Sequence, residues 1–340
     1  MCIICQKKYD INNSKLVCNY CINLAFIPDT FINLTILYCG GCTSLTTIPY
    51  FSSLIQLYCR RCTSLATIPN TLINLTHFDC SGCISLDTIP DTLINLTHFD
   101  CSGCISLATI PDTLTNLITL YCSDCTSLAT IPDTLINLTT LYCSGCTIAT
   151  IPNTLINLTT FDCSGCINLV TIPDTLINLT QLYCNYCINL TFIPNTFINI
   201  LTLYCRGCTS LTTILSFASD GDTFISKGKS VGQVYKTNEV AKPQSITLLD
   251  CSYCTSLIKI PRKINHVECI GCKWLNHFYN KNYDFNIKKI KIISSWFRKN
   301  LKYFIFKRWI KSEEGVKWLY DPNNIGGKVS KLAIMRSMIT

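Results

Sequence analysis

The chain has 340 residues, of which 48% are hydrophobic and only 14% charged, with a formal net charge of +8. That is ample apolar material for a core, and it leaves a nearly neutral surface to be built from Ser, Thr, Asn and Tyr. No apolar run approaches the ~20 residues that span a bilayer, and no N-terminal stretch joins a basic segment, an apolar run and a small-residue cleavage site, so a cytoplasmic protein is expected.

All 26 cysteines fall in Cys-x-x-Cys pairs, starting with Cys2 and Cys5. Residues 1–10 are read as an N-terminal cap or partial cysteine motif. Cys2, Cys5, Cys18 and Cys21 together give C-x2-C-x12-C-x2-C, a spacing at which four thiolates can close a tetrahedral zinc site. Cys18 and Cys21 are also in register with every later pair, and inward packing accounts for them, so no metal or other cofactor is expected and zinc stands as the alternative.

From there the first cysteine of each pair recurs at 18, 39, 59, 80, 101, 122, 143, 163, 184 and 205, a step of 20 or 21 residues. Thr71 to Asp91 is repeated by Thr92 to Asp112 with one change, Asp87 becoming Ala108, which marks a tandem duplication. A fixed period of this size means a stacked repeat array rather than separate domains. In the unit that begins at Leu179, the positions Leu179, Leu182, Cys184, Cys187, Leu190 and Ile193 are apolar and are expected to point inward. Leu182-Tyr183-Cys184 alternates in, out, in, with the period of a half-buried strand. About 12 such strands are expected near Val17, Tyr38, Tyr58, Asp79, Asp100, Tyr121, Tyr142, Asp162, Tyr183, Tyr204, Asp250 and Glu268, forming one parallel sheet. Ile-Pro follows each strand and predicts an extended or polyproline-like return arc.

The frame lapses after Cys208, and the 46 residues from Cys205 to Cys251 exceed two repeats. An irregular insertion over 214–245 is expected, as a protruding loop or one degenerate repeat. The array resumes and runs out near 275. Residues 276–340 hold 14 of the 28 Lys and Arg but 4 of the 20 Asp and Glu, a charge of +10 against −2 for the rest. Within them Ile290, Ile293, Phe297, Leu301 and Phe304 fall at three- and four-residue steps, with Lys289, Lys299 and Lys302 on other faces. This predicts a basic amphipathic helix serving as the C-terminal cap.

The apolar frame over 11–275 resembles leucine-rich-repeat proteins, the first cysteine taking a Leu position of their consensus and the second its Asn/Cys position. More narrowly, the chain is similar to the short Cys-rich tandem paralogues of giant DNA viruses. The resemblance implies a solenoid with a concave parallel sheet, and a scaffold that binds a protein, a host protein in the viral case, in the host cytoplasm. Such viral proteins are grouped with ubiquitin-pathway adaptors, but no F-box-like segment precedes the repeats.

Binding rather than catalysis is therefore the expected function, and no catalytic residues are assigned. Tyrosine combines a large apolar ring with a hydrogen-bonding tip, and the outward strand column carries Tyr38, Tyr58, Tyr121, Tyr142, Tyr183 and Tyr204. With His77, Asp79, His98, Asp100 and Asp162 on the same face, these are the candidate contact residues for a protein partner. The sequon Asn74-Leu75-Thr76 and its equivalents repeat because the unit repeats. Two alternatives stay open: a substrate-recruiting ubiquitin-ligase component with the N-terminal zinc site, and nucleic-acid or anionic-membrane binding through 276–340.

Overall fold

Each repeat buries its apolar positions only by stacking on the next, and the strand is the part that stacks in register. The computed structural model describes residues 4–6, 10–215, 246–257 and 264–272. Three-residue strands recur as β1 (Lys15–Val17), β2 (Ile36–Tyr38), β3 (Gln56–Tyr58), β4 (His77–Asp79), β5 (His98–Asp100), β6 (Thr119–Tyr121), β7 (Thr140–Tyr142), β8 (Thr160–Asp162) and β9 (Gln181–Tyr183). β11 (Thr202–Tyr204) continues the series, followed by the longer β13 (Ile246–Asp250) and β14 (Ile264–Glu268). These twelve form one parallel sheet in chain order, the sheet of a leucine-rich-repeat solenoid. The short strands β10 (Phe192–Ile193) and β12 (Thr213–Ile214) pair with each other in a second, two-stranded sheet on the return arc.

In each three-residue strand the middle residue is the buried one, such as Leu37, Phe99 or Leu182. The outward residues named from the sequence as strand centres therefore close their strands. Behind the sheet the inward positions line up repeat after repeat, with Leu179, Leu182, Cys184, Cys187 and Leu190 all fully buried. Ile4 joins the same core at the N-terminal end, where the Cys5 and Cys21 sulfurs lie 3.2 Å apart. Cys2 lies outside the described residues, and among those described no group of three or more His, Cys, Asp or Glu is placed to hold a metal.

The two cysteines of a pair do different things. The first packs in the core and passes its backbone carbonyl to the next repeat. The second donates its thiol to that carbonyl, as from Cys62 to Cys39 O (3.0 Å), Cys83 to Cys59 O (3.1 Å) and Cys146 to Cys122 O (2.9 Å). Asparagines form a second ladder on the other side of the strand: Asn95 donates to Ile73 O and Asn116 to Ile94 O, both at 2.9 Å. The recurring asparagine of the sequon is thus a structural donor, which explains its repetition without any sugar.

Between the cysteines the chain turns sharply, and from Cys18/Cys21 onward the third residue of each motif adopts a left-handed conformation, whether Gly (Gly103, φ 71) or not (Asp124, φ 59; Tyr186, φ 58). Wherever a side chain occupies this costly position, the next repeat offers Gly beneath it. A Cβ on Gly207 would come within 2.6 Å of the Tyr186 ring.

The arcs are less extended than Ile-Pro alone suggested. Buried amides need acceptors, and the arc supplies them through successive tight turns, as in Leu45 N–H to Cys42 O (3.0 Å) and Leu54 N–H to Phe51 O (3.1 Å).

The long spacing between Cys205 and Cys251 adds no rung. β11 and β13 are direct neighbours, with Thr202 opposite Leu248 and Tyr204 opposite Asp250. Ile214, placed in the insertion by sequence, belongs with Thr213 to the regular arc as β12, and 216–245 lie outside the described residues. The expected C-terminal helix over 276–340 also lies outside them.

Candidate binding face

Period-two alternation in a three-residue strand leaves two residues facing away from the core, so the sheet presents two outward columns. The first runs Lys15, Ile36, Gln56, His77, His98, Thr119, Thr140, Thr160, Gln181, Thr202, Leu248 and His266. The second runs Val17, Tyr38, Tyr58, Asp79, Asp100, Tyr121, Tyr142, Asp162, Tyr183, Tyr204, Asp250 and Glu268. Every tyrosine and aspartate singled out from the sequence stands in the second column, and both histidines stand in the first.

Register alone brings like side chains together. Tyr38 stacks on Tyr58 with ring centroids 4.7 Å apart, Tyr121 on Tyr142 at 5.0 Å and Tyr183 on Tyr204 at 5.3 Å. Beyond each stacked pair the next rung of the column is an aspartate, except on the Tyr38 side, where it is Val17. Tyr58 and Tyr183 are further tied by their hydroxyls to Gln56 (3.4 Å) and Gln181 (3.2 Å) of the first column, positioning residues that the tyrosine pattern alone did not reveal. Lys15 places its ammonium 5.0 Å from the Tyr38 ring centroid. Burial pushes the Tyr58 and Tyr142 hydroxyls above their ordinary range, with the stacked tyrosine adding to the effect.

The aspartates are held from below. Oδ1 of Asp79 accepts from the Ser81 amide (2.9 Å) and hydroxyl (2.6 Å), and Asp100, Asp162 and Asp250 accept from the amides of Ser102, Ser164 and Ser252, each at 2.9 Å. Burial holds the Asp100 carboxyl above its ordinary value against two hydrogen bonds from Ser102, and the charge of Asp79 adds to the rise. From β3 to β14 the two columns contain five carboxylates and no Lys or Arg. Among the described residues the one ion pair is His266 with Glu268 (3.4 Å), at the end of the sheet.

His77 and His98 stack at 4.5 Å, each with Nδ1 against the preceding threonine hydroxyl at 2.9 Å. Burial lowers the His77 pKa below 6.5, and His98 lowers it further. Their rings are thereby arranged as a flat polar platform, neutral at His77 near pH 7.

The Leucine Rich Repeat family model matches residues 137–158. No curated protein matches the chain. Among solved structures, the chain is similar to the leucine-rich effector YopM of Yersinia pestis, at 15% identity and TM-score 0.42 over 79% of this chain and 62% of that one. It is similar to the functional domain of InlJ from Listeria monocytogenes, described as including a cysteine ladder, at 18% identity and TM-score 0.40 over 76% and 63%. It also matches the Arabidopsis receptor kinase HAESA, solved with the peptide hormone IDA and the co-receptor SERK1, at 16% identity and TM-score 0.36 over 73% and 41%.

Proposed function

We propose that this leucine-rich-repeat solenoid is a non-enzymatic scaffold that binds a protein partner across the outward face of its parallel sheet. The observation that carries the reading is the stacked tyrosine column, in which the rings are fixed by one another before any partner arrives. Ordered aromatic side chains lose little conformational entropy on binding, and tyrosine is among the residues that dominate interface energetics. The resemblance to giant-virus repeat proteins points to a host protein as the partner and to the host cytoplasm as the place.

The test replaces Tyr121, Tyr142 and Tyr183 together with alanine and compares affinity capture with the native chain. All three project away from the core, so thermal unfolding should stay close to native while the captured partners disappear. If the triple variant still captures them and a chain ending at Leu275 does not, the site belongs to 276–340 and the sheet-face reading falls.

A further inference from the structure

The order of residues along the second column is not random. From β5 to β13 it reads Asp100, Tyr121, Tyr142, Asp162, Tyr183, Tyr204, Asp250, a carboxylate every third rung with a stacked tyrosine pair between; Asp100 and Asp162 are half-buried, Asp250 is buried, and Glu268 follows it on β14. Resting on the sheet-face reading, we propose that the occupant is an extended, arginine-bearing polypeptide segment lying along the solenoid axis, its cationic residues spaced four apart.

The chemistry of a single rung sets the first half of the argument. Asp162 stands between Tyr142 and Tyr183, each of which is stacked on a tyrosine at its other side, so both turn an open ring face toward Asp162. The short carboxylate is the floor of a slot with two aromatic walls. A planar guanidinium in that slot meets a ring face on either side and a carboxylate oxygen below, and arginine suits both contacts better than lysine does. Oδ1 of Asp162 is engaged by the Ser164 amide, which aims the carboxylate and leaves its second oxygen for the ligand. The protein already uses half of this arrangement twice, with Lys15 over Tyr38 and Arg206 over Tyr253 at 5.0 and 5.1 Å from the ring centroids. The carboxylates themselves have no Lys or Arg within their columns. Arg60, in the turn after β3, is the cation whose charge reaches Asp100.

Spacing sets the second half. Parallel strands stack about 4.8 Å apart, so three rungs measure about 14 Å, and an extended chain advances about 3.4 Å per residue. Four residues of ligand therefore match one period, and residues four apart in an extended chain point to the same side. The ligand residue midway between two arginines also points to the sheet, and it falls over a tyrosine pair, where a flat apolar side chain such as tyrosine or proline fits. Nucleic acid is disfavoured on this face by its five carboxylates.

The probe is a fluorescent nine-residue peptide with arginine at its first, fifth and last positions, tyrosine midway between and serine elsewhere. Its control has the same composition with the three arginines in a block. Both are titrated by anisotropy against the full-length native protein and against an Asp100→Asn/Asp162→Asn double variant, in which asparagine keeps the oxygen that the serine amides need. The spaced peptide should bind the native chain at least tenfold more tightly than the block peptide, and the double variant should lose that preference. Equal affinity for the two peptides, weak or strong, overturns the proposal, and so does a preference that survives in the double variant. If the tyrosine triple variant loses partner capture while the peptides show no preference, the sheet face keeps its role and only the cationic partner is discarded.

Discussion

A single cysteine shows how much one position can be asked to do. Cys143 is fully buried, its sulfur lies against the Cys166 thiol, and its carbonyl accepts the proton of that thiol at 3.1 Å. Cys143→Ser would set a hydroxyl against sulfur, a poor acceptor, in surroundings that have expelled water. The expected loss is about 1–3 kcal/mol in chemical denaturation. Cys146→Ser is expected to cost about 1 kcal/mol or less, because serine can still donate to Cys122 O. If the two variants lose stability equally, the division of labour within the pair is wrong. The inward placement of both cysteines was legible from the repeat frame. The thiol ladder was not, since its acceptor sits 21 to 24 residues back in the chain, and 49 back for Cys254, and nothing in the motif says that the second sulfur donates.

At the scale of elements, the frame of buried residues could be read directly because burial imposes it on every repeat, and so could the twelve strands. The tyrosines could be placed outside by the same alternation. Their pairing could not, because stacking depends on which strand lies beside which, and that is a fact of register. The break after Cys208 shows the same limit: sequence allowed a protruding loop or one degenerate repeat, and only the pairing of β11 with β13 decides that no rung intervenes. Replacing 216–245 with a five-residue linker would return Cys205 and Cys251 to the 21-residue step of the other rungs. The shortened protein should keep its circular-dichroism spectrum and its cooperative melting, since the chain between β12 and β13 is excess over one arc. A collapse of the melting transition would mean that 216–245 support the sheet after all.

The described residues share one continuous core with their thiols inside. All the described cysteines except Cys5 are buried, which denies a reagent access to them; burial also pushes the thiols of Cys80, Cys101 and Cys163 well above their ordinary range, whereas hydrogen bonding to the Cys18 side chain lowers Cys42 to about 7. In the native state an aromatic disulfide reagent should label few of the 26 cysteines quickly, and all of them after denaturation. Because each repeat is supported only by its neighbours, labelling under mild denaturant should begin with the terminal pairs near 18 and 269 and reach Cys122 and Cys143 last. Rapid native labelling of most sites would contradict the inward ladder. The duplication that produced β4 and β5 carries one more consequence. Counted from Tyr38 with one of those two identical strands left out, the outward column runs through three successive triplets of two tyrosines and one aspartate. The copied unit has therefore shifted the phase of the first triplet by one step relative to the others. A solenoid of this kind behaves as a ruler whose marks move by whole repeats, so gaining or losing a single copy can change what it measures while leaving every fold contact intact.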